Sequence, residues 1–187
     1  MSEKVCELII PDAGPLSTLA YAGRLDLLLA IQAKVIVIDM VKIELTRNLT
    51  PTSQLIIDFI SDNAIEVVET EIGKEAIRLG ADFKKRHAGE RAIQDFLFDF
   101  YDENNGVHGE EKFALLLFED HKVSGTGFVL PENVYVISTR AFLTRLELLK
   151  VIPSALDVSN AAIFAGRNFS QREVDQPAKA APDVKPF

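Results

Sequence analysis

The chain predicts an α/β fold with a mostly parallel central sheet of about five strands and helices on both of its faces. Two observations carry this. Short apolar, branched runs recur along the sequence, and helix-periodic segments separate them.

Cys6 to Ile10 reads as the first buried strand. Pro15 to Leu29 reads as a helix with a break at Gly23, which suits a helix C-terminus. Val35 to Ile38 (VIVI) is the second strand, and Asp39 is placed to cap a helix over Met40 to Leu49. Thr50-Pro51 restarts a helix as cap and first turn, with Ile56, Phe59 and Ile60 on one face. Ile65 to Val68 (IEVV) is the third strand. Ile72, Ala76, Leu79 and Phe83 then step by four and three along a helix, and a further helix after Gly89 carries Ile93, Phe96, Leu97 and Phe100. After a polar loop at Asp102 to Gly109, Phe113 to Phe118 (FALLLF) reads as the fourth strand, with a helix from Glu110 as the alternative. Beyond the glycine-containing loop Ser124 to Gly127, Val134 to Ile137 (VYVI) is the fifth. Ser138 and Thr139 are placed to cap a closing helix, Arg140 to Leu149. Residues 1–155 are expected to form one domain. Residues 156–187 are expected to form a tail, with a short helix capped by Ser170 and Glu173 and then disordered Ala-, Pro- and Lys-rich chain.

A length of 187 residues suits one domain, and 48% hydrophobic with 26% charged residues is ordinary for a soluble fold. No apolar run is long enough to span a bilayer, and MSEKVCE carries no signal-peptide pattern. The one cysteine, Cys6, has no partner for an internal disulfide and reads as a small core residue, so the cytoplasm is the expected compartment. A net charge of −8 argues against a general nucleic-acid coat protein. It leaves room for a nuclease, in which bound cations offset clustered acids.

Acids recur where the chain leaves strands. In open parallel sheets, ligands bind outside the carboxyl ends of the strands. Asp12 follows the first strand and Glu119-Asp120 the fourth. Glu44 lies in the helix after the second strand, and Glu90 opens the helix after Gly89. Each has a local explanation. Asp12 can cap a helix, Glu44 can be a solvated helix residue, Glu90 can complement a helix N-terminus, and Glu119-Asp120 can end a strand in a polar turn. Their conjunction points to a hard divalent cation, because converging carboxylates repel one another without one. No GxxxxGK[ST], GxGxxG or GxSxG occurs, and Gly14 stands where a DxD phosphotransferase needs its second acid. His108 and His121 have no zinc-like spacing.

These residues resemble the PIN-domain family, in particular the VapC-like toxins and their relatives, from about Leu8 to Ala155. IIPDAGPLSTLAYAGRLDLL (Ile9 to Leu28) is similar to the family opening, a strand that delivers an aspartate into a small-residue turn and a helix. VIVIDMVKIEL resembles the second strand and a helix bearing the family glutamate, on Glu44. AGERAI resembles the third acidic helix opening, on Glu90, with Gly109-Glu110 as the other "GE" step. LLLFEDHKV resembles the fourth strand with its acid on Glu119 or Asp120, and VYVISTRAFLTRLELLKVIPSA the closing strand and helix. The resemblance implies a PIN-like fold and Mg2+ or Mn2+ held by Asp12, Glu44, Glu90 and Glu119 or Asp120. It also implies endoribonuclease activity, a small cognate antitoxin and a homodimer.

For the RNA backbone, Lys84, Lys85, Arg86 and His87 form the densest basic run, just before Glu90, and Arg140 opens the last helix near the same edge. The run also suits a solvated helix end. Two other functions compete: a non-catalytic PIN-like interaction domain, and a receiver-like domain with Asp12 as phosphoacceptor.

Overall fold

Five apolar segments pair as parallel strands in the computed structural model of the chain, which describes residues 5–103, 112–119 and 129–168. They are β1 (Val5–Pro11), β2 (Lys34–Ile38), β3 (Glu66–Val68), β4 (Lys112–Phe118) and β5 (Val134–Ser138), in the spatial order β3-β2-β1-β4-β5. All four pairings are parallel. Among the described residues, seven α-helices flank the sheet: α1 (Ala13–Tyr21), α2 (Asp39–Thr46), α3 (Ser53–Asp62), α4 (Glu71–Leu79), α5 (Ala88–Glu103), α6 (Thr139–Leu148) and α7 (Ala155–Phe164). The α/β fold with a five-stranded parallel sheet is thus present as expected.

The strand order has a consequence for function. From β1 the chain builds outward to β2 and β3, then returns across the sheet to β4 on the other side of β1. The return from β3 to β4 runs through α4 and α5. The direction reverses between β1 and β4, so a crevice opens at the carboxyl ends of these two strands. Asp12 and Glu119 are the first residues beyond them, and Asp12 N–H donates to Leu117 O at 2.9 Å across the gap.

The central strands are covered on both faces. Ile9, Ile10, Val37, Ile38, Ala114, Leu116 and Leu117 are all fully buried. Cys6 lies among them, and burial pushes its thiol up to about 12, so it is inert. Ile9→Ala is expected to cost about 2–4 kcal/mol by denaturant unfolding, because a central strand covered on both sides has little room to collapse into the cavity.

Helix boundaries depart from expectation where side chains tie the backbone. The Pro15–Leu29 segment is two pieces: α1, then a 3₁₀ turn at Leu25–Leu29, divided at Gly23 with φ +65°. The second helix stops at Thr46 rather than Leu49, and the next begins at Ser53 rather than Pro51. Ser53 Oγ donates to Leu45 O at 2.7 Å and accepts from Thr50 N–H at 2.9 Å, which holds residues 50–52 in a turn. Phe83 is buried but lies beyond α4, which ends before Gly80 at φ +53°.

Asp39 is the first residue of α2 rather than its cap. Its buried carboxylate accepts from Met40 N–H at 2.7 Å, Thr70 N–H at 2.8 Å and Thr70 Oγ1 at 2.8 Å. At the expected domain end, Ser154 caps α7 by accepting from Asp157 N–H, and Ala155, Val158 and Ala162 are buried as α7 packs on α1 and α6. Asp120, His108, His121, Glu110, the Ser124–Gly127 loop, most of the Asp102–Gly109 loop and the Ser170–Glu173 pair lie outside the described residues. Among those described, no helix is long and apolar enough to cross a membrane.

Candidate metal centre

Asp12 occupies the N-cap position of α1, yet its side chain makes no capping hydrogen bond. Its backbone is extended (φ −75°, ψ 174°), continuing β1 into the crevice. The carboxyl is pushed up to about 7, first by burial, against a lowering contact from Ala13 N–H, and then by the charges of Glu44, Glu90 and Glu119. Four acids far apart in sequence therefore share one electrostatic neighbourhood.

Each of the other three arrives by a definite route. Glu44 rides on α2, which starts directly at the end of β2. Gly89 opens α5 against it. A Cβ on Gly89 would stand 3.2 and 3.3 Å from the two Glu44 oxygens, so glycine permits this approach. The Glu44 carboxyl is raised by burial and by Glu90, while Gly89 N–H opposes the shift. Glu90 follows in the first turn of α5, and His87 Nδ1 lies 3.1 Å from its Oε1. His87 itself takes φ +55° as the chain turns into the helix.

Glu119 differs from the rest. Thr18 Oγ1 donates to its Oε1, and Arg167 Nη2 pairs with its Oε2. Asp12 and Glu44 have no such cationic partner among the described residues.

Among the described residues, no three His, Cys, Asp or Glu side chains already stand at the spacing that encloses an ion. The acids share one neighbourhood without standing at that spacing. Their chemistry fits a hard cation: every donor is a carboxylate oxygen, and magnesium typically takes one or two carboxylates while keeping several waters. The Asp12 carboxyl, raised first by burial and then by three neighbouring acids, would be relieved by a divalent ion.

The basic candidates lie at the rim. Lys84, Lys85 and Arg86 are exposed just ahead of α5, and Lys85 Nζ is paired with Glu75 of α4. Arg140 is exposed in the first turn of α6, whose cap is Ser138, accepting from Ala141 N–H at 3.1 Å. Two residues of the neighbourhood, Thr18 and Arg167, are not among the candidates named from the sequence. A buried threonine inside the apolar helix after Asp12 is a signal that could have been taken. Arg167 has none, because it lies 48 residues beyond its partner and in a loop. No family model, curated protein or solved structure matches the chain, so the site is interpreted from its own residues.

Proposed function

We propose that the protein is a metal-dependent endoribonuclease that hydrolyses RNA phosphodiesters at this carboxylate cluster, as the toxin of a toxin–antitoxin pair. One observation carries the reading: Asp12, at the β1/β4 switch point, is pushed up to about 7 by burial and by Glu44, Glu90 and Glu119. A bound Mg2+ or Mn2+ would supply Lewis-acid stabilisation of phosphoryl oxygens and activation of water.

The chain's own residues do the rest. Asp12, Glu44 and Glu90 hold the cation by carboxylate oxygens, with Asp120 or Glu119 as further acids at the β4 end. His87 orients Glu90 through its ring nitrogen. Lys84 and Arg86, with Lys85 behind them, present positive charge to the RNA backbone beside α5, and Arg140 does so from α6. The likeness to the toxin branch supports a small protein antitoxin and a homodimer, and the buried reduced thiol of Cys6 suits a cytoplasmic setting.

The test is cleavage of a mixed RNA pool with Mg2+ or Mn2+. Wild type is expected to cut, and Glu90→Gln to lose roughly a hundredfold or more in rate. Replacing Lys84 and Arg86 together by alanine is expected to raise KM several-fold and flatten the salt dependence, with kcat little changed. A second reading, a non-catalytic interaction domain of the same fold, draws support from Glu119, whose charge Arg167 already balances. It predicts no turnover on any RNA and no calorimetric signal with Mn2+.

A further inference from the structure

Thr18, Glu119 and Arg167 are joined by mutual hydrogen bonds at the edge of the crevice. Thr18 Oγ1 donates to Glu119 Oε1 and accepts from Arg167 Nε at 3.0 Å, while Arg167 Nη2 donates to Glu119 Oε2. Both carboxylate oxygens are engaged. The Glu119 and Arg167 side chains are only 12% and 23% exposed, and Thr18 is 1% exposed. The backbone supports the same arrangement. Gly166 takes φ +103°, and Arg167 N–H donates to Ala162 O at 2.9 Å, which ties the turn after α7 back onto that helix. Glu119 Cβ lies 2.8 Å from the position of a Cβ on Gly14, so Glu119 is also wedged against the turn that follows Asp12.

A cation approaching Glu119 meets a carboxylate already paired with a guanidinium, which repels it. Nothing comparable offsets Asp12 or Glu44 among the described residues. We infer that Arg167 withdraws Glu119 from the metal-holding set, so that, among the described residues, a single divalent cation is held through Asp12, Glu44 and Glu90. Glu119 is then a positioning residue, bracing the Asp12 turn through Gly14. The chain up to Arg167 is part of the site, not an appendage to it. This inference rests on the carboxylate cluster being a metal centre.

The experiment is Mn2+ calorimetry on the full-length protein, paired with metal-free denaturation, for wild type, Arg167→Met, Arg167→Lys and the double variant Arg167→Met with Glu119→Gln. Wild type is expected to take one equivalent. Arg167→Met is expected to bind Mn2+ about tenfold more tightly or to take a second equivalent, because it frees a carboxylate charge. Arg167→Lys and the double variant are expected to return to one equivalent at wild-type affinity. A purely structural role for Arg167 would weaken binding, not strengthen it. Unchanged or weaker Mn2+ binding by Arg167→Met overturns the inference and leaves the metal centre standing. Absence of binding by every variant overturns the metal centre, and the competition with it. Metal-free, Arg167→Met is expected to lose stability that Glu119→Gln restores, and additive losses would overturn the brace.

Discussion

Asp12→Asn is expected to remove RNA cleavage while raising the melting temperature of the metal-free protein. Loss of both activity and stability is the ordinary outcome when a buried residue is changed. The opposite signs here follow from the charge environment. The Asp12 carboxyl moves from its ordinary 3.8 to about 7 in the folded chain. Between these values the folded state holds a proton that the unfolded state has released. Stability therefore falls as pH rises from about 4 to about 7, and is flat in this group above that. A shift of this size corresponds to on the order of 4 kcal/mol of destabilisation above pH 7, as an upper bound. Asparagine keeps the shape and discards the charge. The expected gain is about 1–2 kcal/mol at pH 7.5, or roughly 5 °C. At pH 4 the two proteins should melt together. Glu44 is shifted in the same direction, so part of the pH slope persists in the variant. A lower melting point at pH 7.5 would show that the Asp12 charge is welcome in the metal-free fold. Cleavage that survives the substitution would remove Asp12 from the site. With saturating Mn2+ the order should reverse, since only the wild type gains from the cation, and that gain should grow as pH rises through 7.

The strands were readable because the physics that makes them is local. A parallel strand covered on both faces must be apolar almost throughout, and Val35–Ile38 and Phe113–Phe118 announce themselves in that way. The acids at strand ends were readable for a related reason: a charge at the end of such a run has to emerge at the sheet edge. Gly89-Glu90 was readable as a helix opening, and the structure adds that Gly89 is what lets α5 meet Glu44. Contacts between distant residues were not readable. Asp39 has the local signature of a cap, but its bonds to Thr70 span 31 residues. The stop of α2 at Thr46 depends on Ser53 reaching back to Leu45, eight residues away. Glu119 shows only a strand-end acid, while its chemistry is set by Thr18 and Arg167 on either side of it in the chain. Side-chain partners of this kind leave no period and no motif.

Gly73→Ala is expected to be the most destabilising glycine-to-alanine change among the described residues, and to damage the site from a distance. A Cβ on Gly73 would stand 2.0 Å from Asp39 Oδ2 and 2.2 Å from its Cγ, far inside any tolerated contact. Asp39 has little freedom to retreat. It is 7% exposed, and Met40 N–H, Thr70 N–H and Thr70 Oγ1 hold both of its oxygens. Moving it breaks hydrogen bonds to a buried carboxylate, and keeping it in place forces α4 away from α2. Thr70 also caps α4, accepting from Gly73 N–H at 3.0 Å, so the strain reaches that helix start as well. Loss of these bonds together with overpacking should cost about 3–5 kcal/mol by denaturant unfolding. The functional consequence follows from chain order. Asp39 is the first residue of α2, and Glu44 is on the same helix, a turn and a half further on. Any tilt of α2 that relieves the clash moves Glu44 relative to Gly89 and Asp12. Whatever fraction of Gly73→Ala folds should therefore bind Mn2+ more weakly than wild type. Gly89→Ala, which meets the Glu44 oxygens at 3.2 Å without touching Asp39, should weaken Mn2+ binding with a much smaller loss of stability. Equal stability of Gly73→Ala and wild type would mean that α2 and α4 separate freely, and that the Asp39–Thr70 lock does not fix the helix that carries Glu44.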